Sequence, residues 1–371
     1  MRIGFDARMV YYSQAGISQY ILRLLQSLQR LDCGESEFVL LQSRKDPRNL
    51  VTCDRFRRVS LWTPSHHPLE QWTLPLEIQG LHLDVLHSPD FIPPFRCNCK
   101  SVITVHDLAF LLYPHFLTKE SARYYGQIDQ AVRRADHIIA VSEATRRDIM
   151  ERLGASANKI TVIHEAADPM FRPLDRQAAL ERIRERHPVG EEFILFVSTI
   201  EPRKNVPTLL RAYRQFRDDY KQDVKLVFAG SRGWLFDDVF ALVEQLGLAP
   251  HCVFLGRVDS EDLVHLYNAA RVLVQPSYYE GFGLPPLEAM ACGTPVIVSN
   301  VSALPEVVGD AGILVNPNSV DELAVALWRM LNDEPLRQQF VVKGLARAKS
   351  FSWEKAAEKT LEVYRRLANG G

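Results

Sequence analysis

At 371 residues, the chain is long for a single core and comfortable for two domains. Its formal net charge of −1 argues against the broad basic face of a nucleic-acid binder, so we expect no nucleic-acid partner. No apolar run approaches the ~18 residues that span a bilayer, and the first residues enter a strand without a signal-peptide pattern. These features predict a cytoplasmic protein, with association at a membrane surface as the alternative.

The first half of the chain alternates short apolar segments with longer amphipathic ones, which predicts an α/β fold with a parallel sheet covered on both faces. Residues 3–6 predict the first strand, and Glu120–Ala135 predicts a helix. Gly16 lies in the loop after the first strand, just before a helix with one apolar face. Such loops meet ligands at the carboxyl edge of open α/β sheets, although an ordinary turn fits the residues equally well.

The stretch Arg44–Arg58 carries six basic and two acidic residues. A run of this kind is usually a solvated loop. The alternative is a patch that meets an anionic acceptor or the anionic lipid headgroups of an inner membrane.

Six cysteines are scattered along the chain, and only Cys97 and Cys99 lie close together. No second Cys or His pair accompanies them at zinc-finger spacing. We therefore interpret all six as reduced thiols and expect no metal site.

The apolar segment from Ser101 ends in the polar pair His106–Asp107. A polar pair at the carboxyl end of a buried parallel strand belongs to a ligand crevice rather than to the core. A lone histidine can still be purely structural, and Asp107 is suited to orient His106 or to cap the next turn.

The second half repeats the alternation of strands and helices. The apolar segment from Phe193 to Ser198 leads into a loop that contains Arg203 and Lys204. Adjacent cations at the carboxyl end of a strand are well placed to neutralise a diphosphate. A glycine loop at Gly230 and a strand with a turn at residues 253–258 follow.

The most informative stretch is Tyr278–Pro295, in which Glu280 and Glu288 enclose two glycines and two prolines. Glycines permit a close approach of the backbone to a ligand, and prolines are tolerated in the first turn of a helix. The free N–H groups of a helix start bind anions. The pattern predicts an anion site with a hydroxyl-binding carboxylate on either side, which suits a sugar–diphosphate–ribose ligand.

This stretch closely resembles the E-x7-E signature of retaining family-4 glycosyltransferases of the GT-B fold, and the resemblance extends over nearly the whole chain. It implies two Rossmann-like domains that face one another across a cleft. The expected division is an acceptor-binding domain (1–170, joined by the C-terminal helix 353–371), a linker (171–190) and a nucleotide-sugar-binding domain (191–352).

The resemblance also implies roles for individual residues. In such enzymes Arg203, Lys204, Glu280 and His106 would serve catalysis, with the two cations on the diphosphate and the other two on the transferred sugar. Glu288 would hold the ribose. Further donor contacts are implied at Gly281, Phe282, Gly283, Leu284, Gly230, Arg257 and Val258, and an acceptor and diphosphate loop at Gly16 and Asp107.

The implied reaction is hexosyl transfer from a nucleoside-diphosphate sugar to a saccharide or lipid-linked acceptor, with retained anomeric configuration and neither metal nor cofactor. The segment Thr199–Asn205 resembles the mannosyltransferase branch, which makes GDP-mannose the first expectation. Four alternatives stay open: an inverting transferase with His106 as base, a sugar-nucleotide epimerase, a phosphorylase, and a non-catalytic sugar-nucleotide-binding protein.

Overall fold

The computed structural model describes residues 1–12, 16–114, 119–231, 233 and 236–370. The chain divides into two compact units. The first unit comprises residues 1–165 and the segment from Ser352 onward, and the second comprises residues 166–351. Over the described ranges, no helix combines the length and the apolar character needed to cross a membrane.

The first unit is built on a parallel sheet whose described strands are β1 (Arg2–Asp6), β2 (Glu37–Ser43), β3 (Phe56–Leu61), β4 (Val85–Ser88), β5 (Lys100–Val105), β6 (His137–Ala140) and β7 (Ile160–Val162). Their spatial order is β3-β2-β1-β4-β5-β6-β7. The direction of winding therefore reverses between β1 and β4. In open α/β sheets such a switch point opens a crevice beyond the carboxyl ends of the two strands, and ligands bind there.

The described helices of the chain before residue 166 are α1 (Met9–Tyr12), α2 (Gly16–Leu28), α3 (Glu70–Ile78), α4 (Ala109–Leu112), α5 (Lys119–Tyr125), α6 (Ile128–Arg134) and α7 (Glu143–Leu153). As predicted, α2 has one apolar face, and Ile21, Leu24 and Leu28 on this face are fully buried. Burial of one such stripe, rather than helix propensity, is what stabilises a helix of this length in a protein.

Two sequence predictions for this unit are wrong in detail. The stretch Arg44–Arg58 is not a plain loop, because its last residues enter β3, whose Phe56 stacks on Phe38 with ring centroids 4.4 Å apart.

The helix predicted over Glu120–Ala135 is two helices, α5 and α6, separated by a turn at Gly126. Glycine is a poor helix former because ordering its backbone costs the most entropy, so it favours this break.

The cysteine prediction also needs correction. Cys97 and Cys99 form a disulfide, so they are not reduced thiols. Their Cα atoms lie 5.4 Å apart, within the range that a disulfide can bridge. Cys33, Cys53, Cys252 and Cys292 are free.

The second unit is built on another parallel sheet, whose strands are β8 (Phe193–Val197), β9 (Lys225–Ala229), β10 (Cys252–Gly256), β11 (Val272–Gln275), β12 (Val296–Ser299) and β13 (Ile313–Val315). Their order is β10-β9-β8-β11-β12-β13, so the winding reverses between β8 and β11. The helices are α8 (Arg176–Arg184), α9 (Val206–Tyr220), α10 (Phe236–Gln245), α11 (Ser260–Ala269), α12 (Leu284–Ala291), α13 (Leu304–Val308), α14 (Val320–Asn332) and α15 (Glu334–Ala348).

The last helix, α16 (Trp353–Ala368), belongs to the first unit, although it follows the whole of the second in the chain. The Ser352 hydroxyl caps it by accepting a hydrogen bond from the N–H of Lys355. Tyr364 reaches the core, where its hydroxyl lies 2.5 Å from Nδ1 of His87 on β4. Burial lowers the pKa of His87 to about 3, so this ring is neutral and needs the tyrosine as a hydrogen-bond partner.

Tyr364→Phe tests this attachment. The substitution leaves Nδ1 of His87 buried without its partner, which costs ~1–3 kcal/mol of unfolding free energy. Urea unfolding at neutral pH would measure the loss, with Tyr11→Phe at an exposed tyrosine as the control. Equal midpoints for the two variants would contradict a stabilising role for this contact.

Candidate active site

The loop that follows β8 contains the two predicted cations. Arg203 and Lys204 lie in a short 3-10 turn, and Asn205 follows with a φ of 58° at the start of α9. The Asn205 amide donates to the carbonyls of Pro276, at 3.0 Å, and Pro317, at 2.7 Å. These bonds hold the cation loop against the loops that follow β11 and β13.

Glu280 lies beside these cations, on the loop after β11. Lys204 Nζ donates to both of its carboxylate oxygens, at 2.7 and 2.8 Å. Gln275 and Ser277 donate to Oε1 at 2.9 and 2.8 Å, and Arg203 donates to Oε2 at 3.2 Å. A buried carboxylate is thus surrounded by donors, and the loops after the two switch-point strands are joined through it.

The electrostatics of this site fix the charge of Glu280. Burial alone would raise its pKa, but the charges of Lys204 and Arg203 and the hydrogen bonds outweigh burial and lower the pKa to about 2. Glu280 is therefore a carboxylate at neutral pH. Its oxygens already have internal donors, so a hydroxyl ligand would have to exchange with one of these bonds.

Arg203 has a second acidic neighbour, because its Nε donates to Glu201 at 3.0 Å. Two cations thus face two carboxylates, Glu201 and Glu280. Lys204 is the more deeply buried cation, with 8% of its side chain exposed against 21% for Arg203. An anion reaching this loop would accordingly meet Arg203 first.

The start of α12 provides the other half of a potential anion site. Gly283 precedes the helix with a φ of 118°, a backbone conformation that is unfavourable for residues other than glycine. Pro285 and Pro286 occupy the first turn and offer no N–H group. The helix start therefore offers a ligand the N–H groups of Gly283 and the predicted Leu284, while the predicted Gly281 and Phe282 lie buried on the loop before it.

Glu288 lies within α12, and its side chain is half-buried. Its Oε2 accepts a hydrogen bond from the buried Tyr267 hydroxyl at 2.8 Å. Tyr267 therefore orients the carboxylate, and sequence reasoning did not identify it, because a tyrosine in an amphipathic helix carries no local signal of such a role.

The remaining predicted donor residues lie at the same edge of the second sheet. Gly230 follows β9, and a Cβ atom there would lie 1.9 Å from the Ser198 carbonyl oxygen. A glycine is thus required for the loops after β8 and β9 to pack together. Arg257 is exposed and Val258 half-buried, directly after β10. Arg232, in the predicted glycine loop, lies outside the described residues.

In the first unit, His106 follows β5 and is enclosed. Its Nδ1 lies 3.0 Å from Oε1 of Glu165, and its Nε2 lies 2.9 Å from the carbonyl of Pro89. Burial opposes a positive charge, but these two acceptors outweigh it and raise the pKa of His106 above its usual value. Because both nitrogens face acceptors, the ring donates from both, and the sequence did not signal its carboxylate partner Glu165.

The other two predicted residues of this unit are Asp107 and Gly16. Asp107 caps the turn at α4 by accepting a hydrogen bond from the N–H of Ala109 at 2.9 Å. Gly16 is the exposed first residue of α2, where a Cβ would meet no described atom within 4 Å. The rest of the predicted loop before it, residues 13–15, lies outside the described residues.

The structure therefore brings Arg203, Lys204 and Glu280 into one cluster at the switch point of the second sheet, with the start of α12 on the same loop. Over the described ranges, no group of three or more His, Cys, Asp or Glu side chains is arranged to hold a metal ion. What the cluster can do chemically is hold a multiply charged anion between fixed cations and backbone N–H groups.

Glu280→Gln tests the buried ion pair. Lowering the pKa from 4.5 to about 2 corresponds to roughly 3–4 kcal/mol, at ~1.4 kcal/mol per unit, so the variant should lose about that much unfolding free energy at pH 7. The carboxylate contributes this stability fully above the unfolded pKa of 4.5 and loses it as the pH falls towards 2. The gap between wild type and variant should therefore narrow below about pH 4.5.

Denaturant titrations at pH 7, 5 and 3.5 would measure the gap, with Glu244→Gln at an exposed position of α10 as the control. A gap that does not change with pH, or one no larger than the control's, would contradict the charged state of Glu280.

Comparison with known proteins places this geometry in a family. Residues 178–347 match the model described as glycosyl transferases group 1, and residues 15–171 match the model described as glycosyltransferase family 4. Together the two matches span both units.

Curated relatives and a solved structure agree. The O-antigen chain mannosyltransferase B of Escherichia coli is 37% identical over 76% of this chain and 74% of its own length. The serotype-specific mannosyltransferase WbdA of Escherichia coli is 32% identical over 74% of this chain, which spans only 34% of that longer protein. HepE of Anabaena, solved with UDP and glucose, has a TM-score of 0.76 and 19% identity, covering 99% of this chain and 100% of that one.

The structural likeness confirms the predicted class of fold, two Rossmann-like parallel-sheet units of the GT-B type. The sequence likeness confirms the predicted family and its general activity, sugar transfer from an activated donor. The chain belongs to the group 1 glycosyltransferases of family 4.

Proposed function

We propose that the enzyme transfers a mannosyl unit from GDP-mannose to a hydroxyl of a saccharide or lipid-linked acceptor, with retention of anomeric configuration and without a metal ion. The observation that carries the proposal is the cluster of Arg203, Lys204 and Glu280 beside the start of α12, at the switch point of the second sheet. A diphosphate fits the cations and N–H groups of such a site.

The donor would lie along the carboxyl edge of the second sheet. Its diphosphate would contact Arg203, Lys204 and the N–H groups at the start of α12, while its ribose hydroxyls would bind Glu288. Tyr267 supports this role, because its hydrogen bond holds the Glu288 carboxylate in a fixed orientation. The guanine base would contact the segment at Arg257 and Val258.

The reaction breaks the bond between the anomeric carbon and the diphosphate oxygen, and the bonding electron pair leaves with the diphosphate. The acceptor oxygen bonds to the anomeric carbon on the same face, and its proton passes to the departing phosphate oxygen. Negative charge grows on that oxygen in the transition state. Arg203 and Lys204 would stabilise it, since fixed charges act most strongly where charge develops.

Two features support this route over its alternatives. A buried carboxylate whose pKa is lowered to about 2 by Lys204 and Arg203 is a weak nucleophile, which disfavours a covalent intermediate on Glu280. An imidazole that donates from both nitrogens has no lone pair for a base, which disfavours His106 as the base of an inverting enzyme. His106 would instead act as a fixed hydrogen-bond donor or charge.

Mannose is favoured because both curated relatives described above are mannosyltransferases by name. The segment Thr199–Asn205, with the cations of the cluster, resembles the same branch of the family. A saccharide acceptor is inferred from the same two relatives, one of which is named for the O-antigen chain.

Arg203→Ala should lower kcat/KM for GDP-mannose by roughly 2–4 kcal/mol, or about 30- to 1,000-fold, because it removes a charge that acts on the leaving diphosphate. The assay would contain EDTA, and NMR of the product would give its anomeric configuration. We expect turnover in EDTA and the α-anomer of the donor retained in the product.

Arg211→Ala, at an exposed position of α9, is the matched control and should leave the kinetics unchanged. Wild-type kinetics for Arg203→Ala would remove Arg203 from the proposed site. An inverted product would refute retention, and activity that EDTA abolishes would refute metal independence.

We also propose that the first unit contacts an anionic lipid bilayer, which would suit a lipid-linked acceptor. The surface in question, called the α3 surface, comprises Leu69, Trp72 and Leu76 along α3 together with Trp62 after β3. Trp72 is 61% exposed and Leu76 72%, while the opposite side of α3 is buried. Exposed apolar patches of this kind mark interaction sites.

Charge supports an anionic partner for the α3 surface. The Arg44 guanidinium lies 3.5 Å from the centroid of the Trp62 ring, and that of Arg96 lies 4.7 Å from the centroid of Trp72. Tryptophan with arginine suits a membrane interface, where rings enter the headgroup region and cations meet lipid phosphates. The predicted basic patch at Arg44–Arg58 contributes through Arg44, whereas Arg48 and Arg58 bond to neighbouring backbone carbonyls.

The double variant Trp72→Ala, Leu76→Ala should lower partitioning into vesicles that contain phosphatidylglycerol by about tenfold or more, because a buried large apolar side chain is worth ~1.5–3 kcal/mol. Co-sedimentation would measure it, with Val342→Ala on α15 as an exposed apolar control. Equal binding of both variants, or wild-type binding that is absent or indifferent to lipid charge, would contradict the proposal.

A further inference from the structure

The switch point of the first sheet also carries a cluster of polar side chains. Asp6 ends β1 and Ser88 ends β4, the two strands between which the winding reverses. Arg8, Glu70 and Asp90 come from the segments that follow β1 and β4 and from the start of α3. These five side chains line one small cavity.

Most of the charge in this cluster is internally paired. Arg8 is buried and donates to both oxygens of Asp6, at 2.9 and 2.6 Å, and to Glu70. His66, stacked on Tyr124, pairs with Oδ2 of Asp90. Three carboxyl groups thus face one guanidinium and one imidazole, so the cavity has no excess of positive charge.

Two polar atoms of the residues that line the cavity are not paired. Ser88 is 2% exposed and Asp90 7%, yet Ser88 Oγ and Asp90 Oδ1 have no hydrogen-bond partner among the described residues. Leaving buried polar atoms unpaired costs free energy, and each such atom in a native protein calls for an explanation. The cavity that Ser88 and Asp90 help to line has a volume of about 10 Å³, the size of one water molecule or one hydroxyl group.

From this geometry we infer that the cavity is an acceptor subsite that receives one hydroxyl group of a neutral sugar. The hydroxyl donates to Asp90 Oδ1 and accepts from Ser88 Oγ, which satisfies both unpaired atoms with one group. The inference rests on the proposed sugar transfer, and it adds the class of acceptor residue and the side chains that select it.

The charge of the cavity decides between hydroxyl and phosphate. A phosphate would be repelled by the acidic groups, and the Arg8 guanidinium is already held by Asp6 and Glu70. A carboxylate oxygen and a serine hydroxyl form the usual pair of partners for a sugar hydroxyl, which both donates and accepts. At the position that enters the cavity, the subsite therefore selects a free hydroxyl over a phosphate.

The test uses the full-length protein and a panel of methyl glycosides of mannose, glucose, galactose and N-acetylglucosamine, titrated to 100 mM and followed by ligand-observed NMR. For the glycoside that binds, monodeoxy analogues identify the inserted hydroxyl. Ser88→Ala should weaken binding of the parent glycoside about tenfold, as the loss of one hydrogen bond to a buried site does. It should leave binding of the matching deoxy analogue unchanged.

Ser101→Ala is the matched control, because Ser101 Oγ is also buried and unpaired but lies at the start of β5, at the opposite edge of the sheet. Binding of GDP reports on the second unit and should not change in either serine variant. A wild-type protein that fails to bind GDP would therefore contradict the proposed donor site without bearing on the acceptor subsite. The inference is overturned if no glycoside binds, if Ser88→Ala binds the parent like wild type, or if only thermal stability changes, as for a structural water.

Discussion

The buried ion pair between Glu280 and Lys204 is the interaction on which the site depends. It joins the loops after β8 and β11, which lie 76 residues apart in the chain, at the one point of the second sheet where a crevice opens. A buried carboxylate is tolerated only because several donors surround it, and the same donors hold Lys204 and Arg203 in place. The structural role of Glu280 is thus to position the two cations. A sugar hydroxyl could bind the carboxylate only by replacing one of its internal hydrogen bonds.

Both units gather polar side chains at a reversal of the strand order, but the groups gathered differ. Each sheet reverses its winding once, and each reversal gathers polar side chains at the carboxyl ends of two strands. In the second unit the crevice presents two cations, paired with two carboxylates, beside a helix start, and we propose that these groups bind a diphosphate. In the first unit it presents a serine and three carboxylates, paired with one guanidinium and one imidazole, and we propose that this crevice binds a hydroxyl group. In this proposal the groups that line each crevice, rather than the fold, distinguish the donor site from the acceptor site.

Sequence reasoning worked where the signal is local. Apolar segments that end in polar residues located the strands and placed Arg203, Glu280 and His106 at the sheet edges. It could not show that Glu280 and Lys204 bind one another, because that contact depends on strand order. Tyr267 and Glu165 were missed because a single polar residue carries no pattern. The edge strand β3 was missed because its arginines hide the alternation that marks a strand. Asp6 and Ser88 also lie at the ends of apolar strands, as His106 does, but they were not identified from the sequence as site residues.

The most direct test of the account is the affinity of the wild-type protein for GDP in EDTA, measured by calorimetry beside GMP and guanosine. If the cations and the start of α12 hold a diphosphate, GDP should bind far more tightly than GMP or guanosine, and Glu280→Gln should weaken GDP binding by displacing Lys204. Similar affinities for GDP and guanosine, or GDP binding that requires a divalent metal, would contradict the central claim.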